Sequence, residues 1–308
     1  GPTRVPAAAH AAGTDGHDTD GHDTGSTHPT GASTQLPAGL QVSQDGYRLT
    51  PLTTTLATGK PELFRFQITG PDGDPVTRYI TSHDKDLHLI VVRRDLSGFQ
   101  HVHPSLAADG TWSIPLAVPA AGQYRAFADF RPAGRAEGLT LGVDVAAPGD
   151  YRPAALPAPA ATATVDGYTV TLNGILMPGA SSKLTLSVSK DGTAVTDLQP
   201  YLGAYGHLVA LRDGDLAYLH VHPDGAPGDG RTPAGPQVVF HAEVPSAGAY
   251  RLYLDFQHAG KVRTAAFTAV AGTPAPRASA SPPATASPQA TASPQPSPGH
   301  GDDGHTHE

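Results

Sequence analysis

The sequence has no cysteine and only one methionine among its 308 residues. Without cysteine it can form no disulfide and offers no thiolate to a metal, which excludes zinc fingers, iron–sulfur clusters and blue-copper sites. The absence of a lysine and arginine cluster and of a base-stacking aromatic motif argues against nucleic-acid binding. No apolar run approaches the length of a membrane span. There is also no Gly-x-Ser-x-Gly motif, so we expect no enzyme.

Glycine and proline are abundant, at 35 and 31 residues, and charged residues make up only 16% of the chain. The length suffices for two ordinary domains once the low-complexity ends are set aside. Because the chain begins with glycine and not methionine, we expect a processed form. A signal peptide, or a lipobox cysteine just upstream of Gly1, would have been removed.

Short apolar segments separated by glycine and proline fill the region from residue 38 to 147. Phe64, Phe66 and Ile68, for example, alternate with polar residues, as in a half-buried strand. Turn signals recur about every eight to twelve residues, which is typical of a β-sandwich. No segment has a convincing helical period. The sequence therefore predicts an all-β fold of immunoglobulin or cupredoxin type.

The same pattern returns in the second half of the chain. The segment Val118–Arg125 is echoed by Val244–Arg251, and Asp129-Phe130 by Asp255-Phe256. A longer Gly/Pro-rich loop, 224–236, accounts for a change of offset between the two copies. A tandem duplication of the β-sandwich domain explains these echoes most simply.

Five regions follow from these patterns. They are a disordered His/Asp-rich leader at 1–37, a first sandwich at 38–147, a stiff Pro/Ala-rich linker at 148–164, a second sandwich at 165–271, and a disordered Pro/Ala/Ser-rich stalk with a His-rich end at 272–308. Carboxylates and imidazoles in the two tails bind divalent metals weakly.

The motif His-Val-His-Pro occurs once in each sandwich, and another histidine precedes each copy at the same spacing. The six histidines are His88, His101 and His103 in the first copy and His207, His220 and His222 in the second. In the second copy, Asp213-Gly214 indicates a two-residue hairpin turn with residue 212 opposite 215, which would place the first two histidines directly across from each other. Any even-numbered loop keeps all three side chains of a copy on one face, because side-chain direction has a period of two.

Two interpretations of these histidines remain open. Three imidazoles on one face suit copper(II), which the Irving–Williams order favours, or zinc. Alternatively, each ring hydrogen-bonds a loop carbonyl and was simply copied by duplication. Asp129 and Asp255 would be ligands, acceptors for an imidazole N–H, or plain turn residues. We expect His83, His241 and His258 to be surface histidines.

Segments 87–96, 101–104 and 199–211 resemble secreted actinobacterial proteins described as hypothetical or heavy-metal-binding. The resemblance covers residues 38–270. It implies an exported, lipid-anchored β-sandwich protein loosely associated with copper handling, and it implies no reaction.

The sequence thus predicts a secreted or cell-surface metal-binding protein. It would sequester copper(II) or zinc, or pass it to another metal-handling protein, through a three-histidine site in each domain. A zinc hydrolase would need a general base, and none is evident near the motif. The remaining alternative is a cell-surface structural or interaction module with structural histidines.

Overall fold

The computed structural model describes residues 36–219 and 221–272. Within these ranges every regular element is a strand, which confirms the all-β prediction. No helix in the described residues is long and apolar enough to cross a membrane.

The first repeat contains nine strands. They are β1 (Ser43–Gln44), β2 (Tyr47–Pro51), β3 (Glu62–Thr69), β4 (Leu87–Arg93), β5 (Gln100–Val102), β6 (Ser105–Leu106), β7 (Thr111–Leu116), β8 (Gly122–Phe130) and β9 (Leu139–Ala147). They form two antiparallel sheets, ordered β1-β2-β3-β7-β6 and β5-β4-β8-β9.

The second repeat follows the same plan. Its strands are β10 (Thr162–Val165), β11 (Tyr168–Asn173), β12 (Ser181–Lys190), β13 (Thr193–Ala194), β14 (His207–Arg212), β15 (Val221–Pro223), β16 (Gln237–Glu243), β17 (Gly248–His258) and β18 (Lys261–Ala271). One sheet is ordered β10-β11-β12-β16-β15, with β13 beside β12, and the other β14-β17-β18. Strand β10 begins at Thr162, so the end of the segment expected to be a linker belongs to this sandwich.

Each repeat is a sandwich because the inward-facing residues of its two sheets pack together. In the first repeat Phe66 and Trp112 from one sheet meet Leu89 and Leu141 from the other, all nearly inaccessible to solvent. An equivalent core forms around Tyr168, Phe240 and Phe267 in the second repeat. The prediction of two tandem β-sandwich domains is confirmed.

A third apolar cluster joins the two sandwiches. Strand β4 is buried along its whole length: Leu89 and Val91 face its own core, whereas Ile90 and Val92 face the other repeat. From the second repeat, Val209, Leu211 and Tyr253 enter the same cluster. The outer faces of sheets β5-β4-β8-β9 and β14-β17-β18 therefore pack against each other. His88 and His207 lie at one end of this shared face, because they share the alternation of Ile90 and Val209.

Candidate metal site between the two repeats

His88, His101 and His103 converge in the first repeat. Strands β4 and β5 pair with Ile90 opposite His101, so His88 comes opposite His103 at the next position on that face. His88 Nδ1 lies 3.2 Å from His101 Nε2 and 3.1 Å from His103 Nε2. The prediction that these three imidazoles share a face is confirmed.

The outer nitrogens of two of these rings have partners that fix the position of the ring proton. His88 Nε2 lies 2.9 Å from the carbonyl oxygen of Ser82, which only accepts, so this nitrogen carries the hydrogen. His101 Nδ1 lies 2.9 Å from Asp255 Oδ2 and donates to that carboxylate. In the neutral rings His88 Nδ1 and His101 Nε2 must then both present lone pairs, 3.2 Å apart. Two acceptors at this distance repel unless a proton or a cation lies between them.

The second repeat covers the site. Asp255, whose carboxylate orients His101, belongs to β17 of the other sandwich, and both side chains are at most 7% exposed. The Tyr201 ring, also from the second repeat, lies 6.5 Å from the His103 ring, centroid to centroid. Of the three roles left open for Asp255, the structure shows that of an acceptor for an imidazole N–H, and the histidine belongs to the opposite repeat.

Burial favours the neutral form of three of the nearby imidazoles, those of His88, His103 and His207. Desolvation lowers the pKa of His88 to about 4, against a smaller opposing effect of its hydrogen bond to Ser82, and neighbouring histidines lower it further. Desolvation and the charges of His101 and His88 lower the pKa of His103 to about 3. Desolvation also lowers the pKa of His207. At neutral pH the His88 and His103 rings can therefore offer lone pairs to a metal ion in the folded protein.

The second copy has a different arrangement, and the predicted two-residue turn is wrong. Leu211 is bridged to Tyr218, and the Arg212 backbone N–H donates to the carbonyl of Ala217, so the register differs by two residues from the prediction. The reason is Asp215, whose carboxylate accepts from the Arg212 guanidinium and from the Ala217 backbone N–H and so holds a wider turn.

The described residues of the second copy do not bring its histidines together. His207 lies on β14, paired with Asp255 of β17, and its Nε2 donates to the carbonyl of Tyr201, as His88 does to Ser82. His222 is exposed and lies on β15, opposite His241 of β16 in the other sheet. His220 lies outside the described residues, so its predicted role stays a prediction.

His83 is exposed, as predicted, but it is close to the other histidines. It occupies a tight turn between Ser82 and Lys85, with φ of 47°, and its ring lies 5.5 Å from that of His207, centroid to centroid. Comparison of the repeats missed it, because its counterpart is Leu202. The surface prediction for His258 is wrong: its side chain is 15% exposed and pairs with Asp197.

The chain belongs to the family described as Domain of unknown function (DUF8832), whose model matches residues 41–147 and 163–272. The two matches bear out the duplication. No curated protein matches the chain.

Several solved structures match the chain at low similarity. The adhesin InvE of Yersinia pseudotuberculosis is 13% identical, with 74% of this chain and 60% of that one covered and a TM-score of 0.23. A Salmonella alpha-2-macroglobulin is 13% identical over 78% and 15% of the two chains, with a TM-score of 0.25. A putative membrane anchored protein from Corynebacterium diphtheriae is 11% identical over 75% and 60%, with a TM-score of 0.23. The chain spans less than two thirds of each, and likenesses this distant say nothing of what it binds.

Proposed function

We propose that the protein binds a transition-metal ion, copper(II) or zinc, at a site made by His88 Nδ1, His101 Nε2 and His103 Nε2. The ion would be sequestered or handed to another protein outside the cytoplasm. The observation that carries the proposal is the 3.2 Å separation of His88 Nδ1 and His101 Nε2. In the neutral rings both nitrogens carry lone pairs, because the other nitrogen of each ring donates to a partner on the far side. A cation between them turns this repulsion into ligation.

The spacing of the nitrogens supports this assignment. Zinc and copper bind imidazole at about 2.0–2.1 Å, which places two tetrahedral ligand nitrogens roughly 3.3 Å apart. The separations in the structure are 3.2 and 3.1 Å, and the three ligand atoms all lie within 4.8 Å of one another. Carboxylate–histidine–metal and carbonyl–histidine–metal chains are the usual means of orienting such ligands, and Asp255 and Ser82 supply one of each.

This proposal differs from the expectation of one equivalent site per sandwich. The site in the first repeat uses a carboxylate of the second repeat, so it depends on both sandwiches. In the second repeat, His222 lies in the opposite sheet from His207. A three-histidine site there remains a prediction that rests on His220.

The test requires a chain in which only the folded repeats bind metal. The tail-silent chain is the full-length protein with seven histidines changed to Gln, at positions His10, His17, His22, His28, His300, His305 and His307. We expect it to bind copper(II) or zinc tightly in isothermal titration. Changing His101 or His103 to Gln should weaken this affinity by at least about 100-fold, because one of three ligands is lost.

The matched control is His241→Gln, which removes a partly exposed histidine whose ring faces Asp224. It should bind as the tail-silent chain does. Retention of full affinity in both His101→Gln and His103→Gln would overturn the proposal.

A second candidate is a cell-surface interaction module with structural histidines, and the His101–Asp255 pair favours it. This hydrogen bond joins the two repeats, and His103 Nε2–H can donate to His88 Nδ1, so the cluster has a structural role without any ion. The fold as a whole requires no more than this. If His101→Gln lowers stability while the bound metal of the purified protein is unchanged, this candidate is the correct one.

A further inference from the structure

A cleft of about 90 Å³ opens beside the three histidines of the proposed metal site, His88, His101 and His103, called the triad below. It is lined by four histidines, two of which also belong to the triad: His83, His88, His101 and His207. Neither His83 nor His207 is close enough to complete the triad as a ligand group, since the three-residue group consists of His88, His101 and His103 alone. The cleft therefore holds two imidazoles that the proposed function does not use.

His83 and His207 are spaced like ligands of a common ion. Their ring centroids are 5.5 Å apart, and the triad rings are 5.4, 5.0 and 4.9 Å apart. Two imidazoles bound to one ion at about 2.0–2.1 Å have centroids roughly 5–6 Å apart. The rings come from different repeats and meet at an interplanar angle of 86°.

A hydrogen bond to the backbone fixes the tautomer of His207 so that its other ring nitrogen can bind a metal ion. His207 Nε2 donates to the carbonyl of Tyr201 at 2.7 Å, so Nδ1 of the neutral ring carries a lone pair. This is the same arrangement that directs His88 Nδ1 into the triad through Ser82. His83 is exposed on its turn and lies 6.3 Å from His88, centroid to centroid. The pair thus includes one ring that is open to solvent and lies near the triad.

We propose that His83 and His207 form a second cation-binding position at the mouth of the cleft, which takes a transition-metal ion such as copper(II). Two imidazole ligands bind more weakly than three, so this position fills after the triad and exchanges with solvent. Since it shares no ligand with the triad, its presence can be tested separately from that of the proposed function.

The experiment is a copper(II) titration of the tail-silent chain, read by equilibrium dialysis and by electron paramagnetic resonance. We expect a tight equivalent and a weaker one, and the second ion should broaden the signal of the first because the two positions are adjacent. His83→Asn, chosen because Asn tolerates positive φ, and His207→Gln should each remove the weaker equivalent and the broadening. His241→Gln should keep both, and His103→Gln should lose the tight equivalent alone.

The inference is overturned if the tail-silent chain binds a single equivalent, or if a weaker equivalent persists unchanged in both His83→Asn and His207→Gln. If one of these two variants loses the circular dichroism spectrum of the folded protein, the comparison is made with the other variant alone, because the two changes lie in different repeats. If the tight equivalent is absent and the weaker one still depends on His83 and His207, the metal site proposed at the triad is contradicted. This second position is then supported by itself.

Discussion

The two repeats carry the same His-Val-His-Pro motif in the same strand register and use it differently. In the first repeat the chain stays beside β4 through Val102 and joins the other sheet only at Ser105. In the second it has already joined β16 at Val221. His103 therefore remains next to His88, whereas His222 lies opposite His241 on a neighbouring strand of the other sheet. Identical local sequence does not fix which sheet an edge segment joins, because neighbouring strands compete for its backbone hydrogen bonds.

Acidification should produce the largest effect, and it should depend on the first repeat. The pKa of His88 is lowered to about 4 and that of His103 to about 3, so below pH 6.5 the unfolded chain binds protons that the folded chain does not. Stability of the metal-free protein should therefore fall as the pH drops from about 6.5 to about 4, by about 3 kcal/mol from His88 alone.

Urea unfolding in the presence of a chelator at pH 7 and pH 4.5 measures this loss. His88→Gln should reduce the difference between the two pH values, whereas His222→Gln, which changes an exposed residue, should leave it as it is. An equal loss in the parent and in His88→Gln would show that other groups dominate the acid sensitivity.

The second-largest contrast between the two repeats should come from replacing their corresponding carboxylates, Asp129 and Asp255. Asp255→Asn removes the acceptor that orients His101, so we expect the tight copper(II) affinity to fall about 10–100-fold, as is usual for the outer partner of a metal-bound histidine. Asp129→Asn should have a smaller effect on the triad, because its counterpart already holds His101. Isothermal titration of both variants decides, and equal losses would mean that the triad depends on the charge of the cleft and not on a specific hydrogen bond.

The aromatic residues at the shared face give a smaller contrast. Tyr253 donates its hydroxyl to the carbonyl of Leu96 at 2.6 Å and stacks on Phe99, whereas its counterpart in the first repeat is Phe127. Tyr253→Phe keeps the packing and leaves a buried carbonyl without this donor, which should cost about 1–2 kcal/mol. Chemical denaturation measures the change. A neutral result would indicate that water replaces the hydroxyl.

The smallest effect should come from the turn that carries His83. Asp84 has φ of 61° and its counterpart Gly203 has φ of 75°, a conformation that glycine adopts without strain. We expect Asp84→Gly to raise stability by about 0.3–1 kcal/mol and Gly203→Asp to lower it by a similar amount. The space around Gly203 is open. The change in stability therefore reports backbone strain at positive φ and not a steric clash of the new side chain. Thermal melting of both variants suffices, and a change of the same sign in both would contradict the argument.

Much of the fold could be predicted because it follows from local patterns. Alternation such as Phe64-Arg65-Phe66 requires a strand with one buried face, and the repeated segments around Tyr124 and Tyr250 require two similar units. The common face of His88, His101 and His103 followed from the two-residue period of a strand and did not depend on the exact turn. The turn itself was predicted wrongly, because the Asp215 carboxylate and the Arg212 guanidinium outweigh the preference of Asp213-Gly214.

The sequence by itself determined that the chain is all-β, that it is duplicated, and that three histidines of the first repeat share one face, since each of these depends on residue period and recurrence. Only the tertiary structure decided that the outer faces of the two sandwiches pack together, that Asp255 reaches the His101 of the other repeat, and that His83 meets His207. These contacts join residues that are distant in sequence and belong to different sheets. Their positions depend on how two finished sandwiches bury their remaining apolar faces, which no local pattern encodes.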